Sequence, residues 1–139
     1  MDFRYQKLLI FNHDTNEPLV ARPYIPVFLI GDHKQTESPY YALLDSGADR
    51  VIFSSDLAKE VGINNFKATD KIEPTMGIGS QSVNVYYHKL KIQVMGDSRN
   101  LETEVGFAEN FIIPLLGRSF FRHFKSVSFM ELKEKIELK

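Results

Sequence analysis

The chain is expected to fold as an all-β protein, because turn-forming residues punctuate its 139 positions at short intervals and the segments between them are short, apolar and alternating. Residues 26–30 form an apolar run that stops at Gly31-Asp32, and residues 40–44 form a second that leads straight into Asp45. Leu90, Ile92 and Val94 alternate with Lys89, Lys91 and Gln93 as far as Gly96-Asp97-Ser98, the pattern of a strand with one buried face. Leu101, Thr103, Val105 and Phe107 repeat that pattern. Residues 7–11 read as a strand ending at the turn-prone Asn12-His13-Asp14-Thr15-Asn16. In 127–139, Val127 and Phe129 alternate, the charged residues 131–135 turn, and Ile136 and Leu138 alternate again, which predicts a closing hairpin.

Two short segments read as helical. Residues 55–61 contain the helix formers Leu57, Ala58, Lys59 and Glu60, with Ser54 or Ser55 as N-cap and Gly62 where a left-handed terminating residue is wanted. In 119–124, Phe120 and Phe124 stand four apart on one helical face. No repeat, low-complexity tract or linker interrupts the chain, so residues 1–139 are expected to form a single domain.

Composition removes several function classes. There are 17 Lys+Arg against 18 Asp+Glu, for a net charge of -1, and neither sign forms a run long enough for a phosphate-binding stripe. Nucleic acid is therefore not an expected partner. With no cysteine, disulfide frameworks, thiolate zinc sites and cysteine nucleophiles are all excluded. His13, His33, His88 and His123 are scattered without ligand spacing, so neither a metal nor another cofactor is expected. The start has no continuous apolar signal region and no stretch approaches the roughly 20 apolar residues of a membrane span, so a soluble, cytoplasmic protein is expected.

Chemistry concentrates in residues 41–49, an apolar strand ending in Asp45-Ser46-Gly47-Ala48-Asp49 and followed by apolar Val51-Ile52-Phe53. Asp45 and Ser46 could simply begin a turn in which Gly47 supplies the backbone freedom. An acid at the end of an apolar strand is nonetheless costly to bury without specific donors. Met76-Gly77-Ile78-Gly79 comes next, between the expected strands 71–75 and 82–87. A hairpin turn accounts for the glycines, but not for bulky Ile78 at an exposed tip, which suits a mobile flap over a peptide. A phosphate loop would need a third glycine at position 82 and a following helix, and neither is present. Last comes Leu115-Leu116-Gly117-Arg118, a buried strand stopping before the short helix.

Taken together and in this order, the three elements resemble the retropepsin family of aspartic proteases over roughly residues 22–130. The family pattern is Asp-Thr/Ser-Gly-Ala after a strand, a Gly-Ile-Gly flap, then two apolar residues with Gly and often Arg before a helix. The resemblance implies a retropepsin-like closed β-barrel with one or two short helices and a flap hairpin. It makes Asp45 the catalytic acid and Ser46 the hydroxyl that braces the active-site loops, and sets the Gly47 backbone against the substrate. Ala48 belongs to the same support, while Met76, Gly77, Ile78 and Gly79 become the substrate-covering flap. It further implies a structural ion pair between Asp49 and Arg118, and a structural role for Leu115, Leu116 and Gly117. Ser46 replaces the commoner threonine, and Ser80 stands where viral members often carry another glycine. The segments before Arg22 and after Met130 exceed the compact viral pattern and are more similar to stand-alone cellular and bacterial relatives.

Aspartic proteolysis uses two carboxylates sharing a proton. Asp14-Thr15-Asn16 and Asp97-Ser98-Arg99 both lack the glycine of a second motif. A C2 homodimer with Asp45 of each protomer at the axis is therefore expected, acting on an extended polypeptide. The alternative is a retropepsin-like module that binds peptides or dimerises without cleaving.

Overall fold

A computed structural model describes residues 1–8, 20–76, 82–111 and 113–139. Among these the strands are β1 (Asp2–Arg4), β2 (Tyr24–Ile30), β3 (Tyr40–Leu44), β4 (Val51–Ser54), β5 (Ile72–Met76), β6 (Ser82–Val94), β7 (Leu101–Ala108), β8 (Leu115–Leu116), β9 (Val127–Met130) and β10 (Lys135–Leu138). One α-helix, α1 (Arg118–Phe121), and three short 3-10 turns complete the described elements.

One sheet has the order β1-β10-β9 and the other β2-β3-β8-β4-β7-β6-β5, with β2 also pairing with β6. That extra pairing, Val27–Ile30 against Lys91–Val94, turns β2, β3, β8, β4, β7 and β6 into a circuit from which β5 extends. The circuit is pinched at β8, whose two residues pair parallel with Leu43 and Leu44 and antiparallel with Val51 and Ile52. The expected all-β barrel is thus present, though not uniformly closed.

Alternation decides which side chains fill it. On β6, Leu90, Ile92 and Val94 are buried while Lys89 and Lys91 are exposed. With Val27 and Leu29 of β2, Ala42 and Leu44 of β3, Phe53 of β4 and Phe107 of β7 they form one apolar cluster. Ile136 and Leu138 belong to that same cluster, so the terminal sheet packs on the barrel core. Each such aliphatic or aromatic side chain contributes about 1.5–3 kcal/mol on leaving water.

Three expectations are adjusted. Residues 55–61 form two 3-10 turns, Ser55–Leu57 and Lys59–Val61, instead of one helix. The segment is short and buries Leu57, Ala58 and Val61, so packing sets its winding. Its ends are as expected: Ser54 Oγ accepts the Asp56 N–H, and Gly62 is left-handed with φ 86°. Helix α1 stops at Phe121, before Phe124, which instead tilts its ring against Phe120 at 5.3 Å. Of the strand expected over 7–11, Lys7 and Leu8 lie in no strand and 9–11 fall outside the described residues, as does the 12–16 turn. The N-terminal strand is β1, because there Phe3 packs on the core and pairs with Ile136 of the closing hairpin.

Tyr5 locks this terminal sheet. Its hydroxyl donates to Glu131 Oε1 at 2.7 Å, and its backbone N–H donates to the Glu134 carbonyl at 2.8 Å. Burial, and then the Glu131 bond, push the phenol up to about 12 from 10.0. The fold therefore holds the protonated phenol, and this contribution is complete below pH 10 and disappears as pH rises through about 12. Tyr5→Phe should lower stability at pH 8 by about 1–2 kcal/mol. It should also flatten part of the alkaline decline expected in urea titrations, other parts coming from Tyr40 and Tyr87, which burial likewise pushes to about 12, and from Tyr24, which burial also raises. An unchanged alkaline slope would refute the assignment.

Candidate active site

Strand β3 ends at Leu44, with Ala42 and Leu44 in the core, so Asp45 is the first residue to leave the sheet. Because β8 lies between β3 and β4, the connection 45–50 must arch over the end of β8. Backbone bonds fix this arch. Leu43 N–H donates to the Pro114 carbonyl at 2.8 Å and Asp45 N–H to the Leu116 carbonyl at 3.0 Å. In the reverse direction, Gly117 N–H donates to the Arg50 carbonyl (3.1 Å), Arg118 N–H to Ala48 (2.8 Å) and Ser119 N–H to Asp49 (3.0 Å). The Leu115-Leu116-Gly117-Arg118 segment thereby acts as a template for the Asp45 loop.

Within the loop, Asp45 Oδ1 accepts the Gly47 N–H at 2.9 Å and the Asp45 carbonyl accepts the Ala48 N–H at 3.2 Å. Asp45 is half-buried, and Ser46 and Gly47 are exposed. The carboxylate is therefore oriented by the chain yet open to solvent and to a second molecule. Asp49 and Arg118 are both exposed, and no ion pair joins them among the described residues. The backbone bonds from 117–119 make the link that the resemblance assigns to those side chains.

Strands β5 and β6, which flank the segment expected to form a flap, pair antiparallel from Ile72↔Tyr86 to Met76↔Ser82. Gly77, Ile78 and Gly79 lie outside the described residues, as does the Met76 side chain. Between the loop and β5 opens a cavity of about 700 Å3, bounded by Gly47, Ala48 and Asp49 on one side and Glu73, Pro74 and Thr75 on the other. Ile52 and Leu115 supply apolar lining, and Arg50, Tyr87, Ser119 and Arg122 complete it.

Arg50 was not singled out by sequence. Its guanidinium bonds Glu73 Oε1 at 2.8 Å, stands 3.6 Å from Glu104 Oε2 and lies 5.3 Å from the Tyr87 ring centre. It thus ties the Asp45 loop to the β5 arm. The only signal in the sequence was a cation directly after Asp49, while its partner stands 23 residues away. His88 Nε2 lies 2.6 Å from the Phe66 carbonyl, a satisfied packing histidine. Among the described residues, no group of three or more His, Cys, Asp or Glu could hold a metal ion, and no helix is long and apolar enough to cross a membrane.

No protein-family model and no curated protein matches the sequence. Solved structures do match the fold. EIAV protease complexed with the inhibitor HBY-793 aligns with TM-score 0.54 and 20% identity, over 78% of this chain and 93% of that one. A retropepsin-like aspartic protease from Rickettsia conorii aligns with TM-score 0.62 and 16% identity, over 99% and 89% respectively. The retroviral protease-like domain of Ddi1 from Leishmania major aligns with TM-score 0.59 and 14% identity, over 86% and 90%. The arched Asp-Ser-Gly loop, the strand pair that shares a cavity with it and these alignments agree: the chain has the fold of the retropepsin-like aspartic proteases.

Proposed function

We propose that the chain is a single-domain member of the retropepsin family and forms one half of a homodimeric aspartic endopeptidase. The observation that carries this reading is Asp45 itself. Asp45 is half-buried, its carboxylate accepts the Gly47 N–H and its backbone N–H donates to the Leu116 carbonyl, on a loop whose following residues line a cavity together with β5. One carboxylate cannot both activate water and polarise the scissile carbonyl. Two Asp45 side chains meeting across a two-fold axis would share one proton. The ionised one takes a proton from water as the water attacks the carbonyl carbon, and the protonated one donates to the carbonyl oxygen. Proton return to the amine nitrogen then breaks the C–N bond. A peptide would lie extended along Gly47, bound through its main chain and selected by side-chain pockets. The flap tip at Ile78 would close over it and exclude water.

Analytical ultracentrifugation combined with a peptide-library assay tests this reading. The expected result is a species of twice the 16.0 kDa chain mass that cleaves peptides somewhere between acidic and neutral pH. A dimer that binds peptides but cleaves none would favour the non-catalytic module, and an active monomer would eliminate the two-chain site.

A further inference from the structure

The cavity beside Gly47 carries chemistry that a generic peptide groove does not require, and its use as a side-chain pocket rests on the protease function proposed for Asp45. A peptide running along the loop would direct one side chain between Gly47–Asp49 and β5. There the lining includes two carboxylates, Asp49 and Glu73, and two guanidiniums, Arg50 and Arg122, so it has no net charge. Arg50 is held by Glu73 at 2.8 Å, while the second acid near it, Glu104, is shared with Lys71 at 2.6 Å. Tyr87 Oη and Ser119 Oγ belong to residues of the same lining, and each is buried with no hydrogen-bond partner among the described residues.

These groups discriminate among guests. A carboxylate could accept from Arg50 or Arg122 but would stand against Asp49 and Glu73, and an ammonium would meet the two guanidiniums, each losing hydration against a neutral surround. An aliphatic guest would strip water from four charged groups and return no hydrogen bond. A carboxamide carries both a donor and an acceptor. Its NH2 can donate to Glu73, and its oxygen can accept from an N–H of Arg50, which has five. We infer that this cavity selects glutamine or asparagine at the substrate position whose side chain it receives, with the Arg50–Glu73 pair as the selecting element.

The test uses three matched peptide series, differing only by Gln, Glu or Leu scanned through each position. They are presented to the wild type and to Glu73→Gln, with Glu73→Ala as a second variant. The wild type should cleave the Gln series about tenfold faster than the Leu and Glu series at one position. Both variants should reverse the order at that position in favour of Glu, because Arg50 then loses its nearer acid and the lining becomes net positive. Cleavage without such a preference, or an order unchanged in both variants, would overturn the inference. Absence of any cleavage would instead defeat the protease function. Fluorescence anisotropy of the same labelled peptides on the Asp45→Asn protein would then decide the cavity, with the same orders of affinity expected and equal binding of all three series counting against it.

Discussion

Asp45→Asn should lower kcat/KM for peptide cleavage by about 10^4-fold, the upper end of what a positioned acid–base group contributes, and leave the sedimenting mass unchanged. The variant separates chemistry from architecture because asparagine is nearly isosteric and keeps an Oδ1. That oxygen can still accept the Gly47 N–H now bonded at 2.9 Å, and the Asp45 N–H to the Leu116 carbonyl is a backbone bond that substitution does not touch. What disappears is the ability to exchange a proton with water or, in the proposed dimer, with the second Asp45 carboxylate. Asp45→Ala is the informative contrast: it loses the same chemistry and also the Gly47 contact, so it should be less stable than Asn by about 1 kcal/mol. Initial rates by chromatography, together with sedimentation and urea titration, distinguish the outcomes. An Asn variant that cleaves as fast as the wild type would remove Asp45 from the chemistry. An Asn variant that falls apart into monomers would mean that the carboxylate chiefly holds the dimer.

Local features were legible in the sequence because local physics governs them. Alternation on 90–94 gave the buried face of β6, Ser54 or Ser55 and Gly62 marked the ends of the 55–61 segment, and the charged residues after Met130 marked the turn of the closing hairpin. The turn at Asp45 was equally legible, since Asp and Ser at the end of an apolar strand, followed by Gly47, favour a turn closed by local hydrogen bonds. Long-range register was not. Nothing in Val27–Ile30 identifies Lys91–Val94 as its partner, although that pairing completes the circuit of strands. Phe3 carries no local sign that it will face Ile136. Arg50 likewise meets Glu73 only in the folded sheet, 23 residues apart along the chain, and ion pairs of this kind leave no periodic trace. The 55–61 segment departs from its pattern for a different reason: its residues favour helix, but a segment too short to propagate is wound by its contacts.

Gly117→Ala should cost about 3 kcal/mol of stability, the upper part of the usual range for overpacking, and abolish cleavage with it. Gly117 has φ -88° and needs no special backbone freedom, so the demand is for space. A Cβ here would come within 2.5 Å of the Ala48 carbonyl oxygen and press equally on that of Arg50. Those oxygens are the acceptors for Arg118 N–H and Gly117 N–H, the bonds that hold the Asp45 loop to the start of α1. Because the obstructing atoms are backbone and not the ends of flexible side chains, relief requires moving the loop itself, and Asp45 moves with it. Gly96→Ala provides the control. Gly96 has φ 91° with nothing near its missing Cβ, so alanine there meets only conformational strain, about 1 kcal/mol, far from Asp45 and without effect on rate. Thermal and urea denaturation of the two variants, read beside their cleavage rates, separate a glycine required for a turn from one required for contact. Equal losses in both, or a Gly117→Ala protein with native stability, would show that the α1 turn does not set the position of the Asp45 loop.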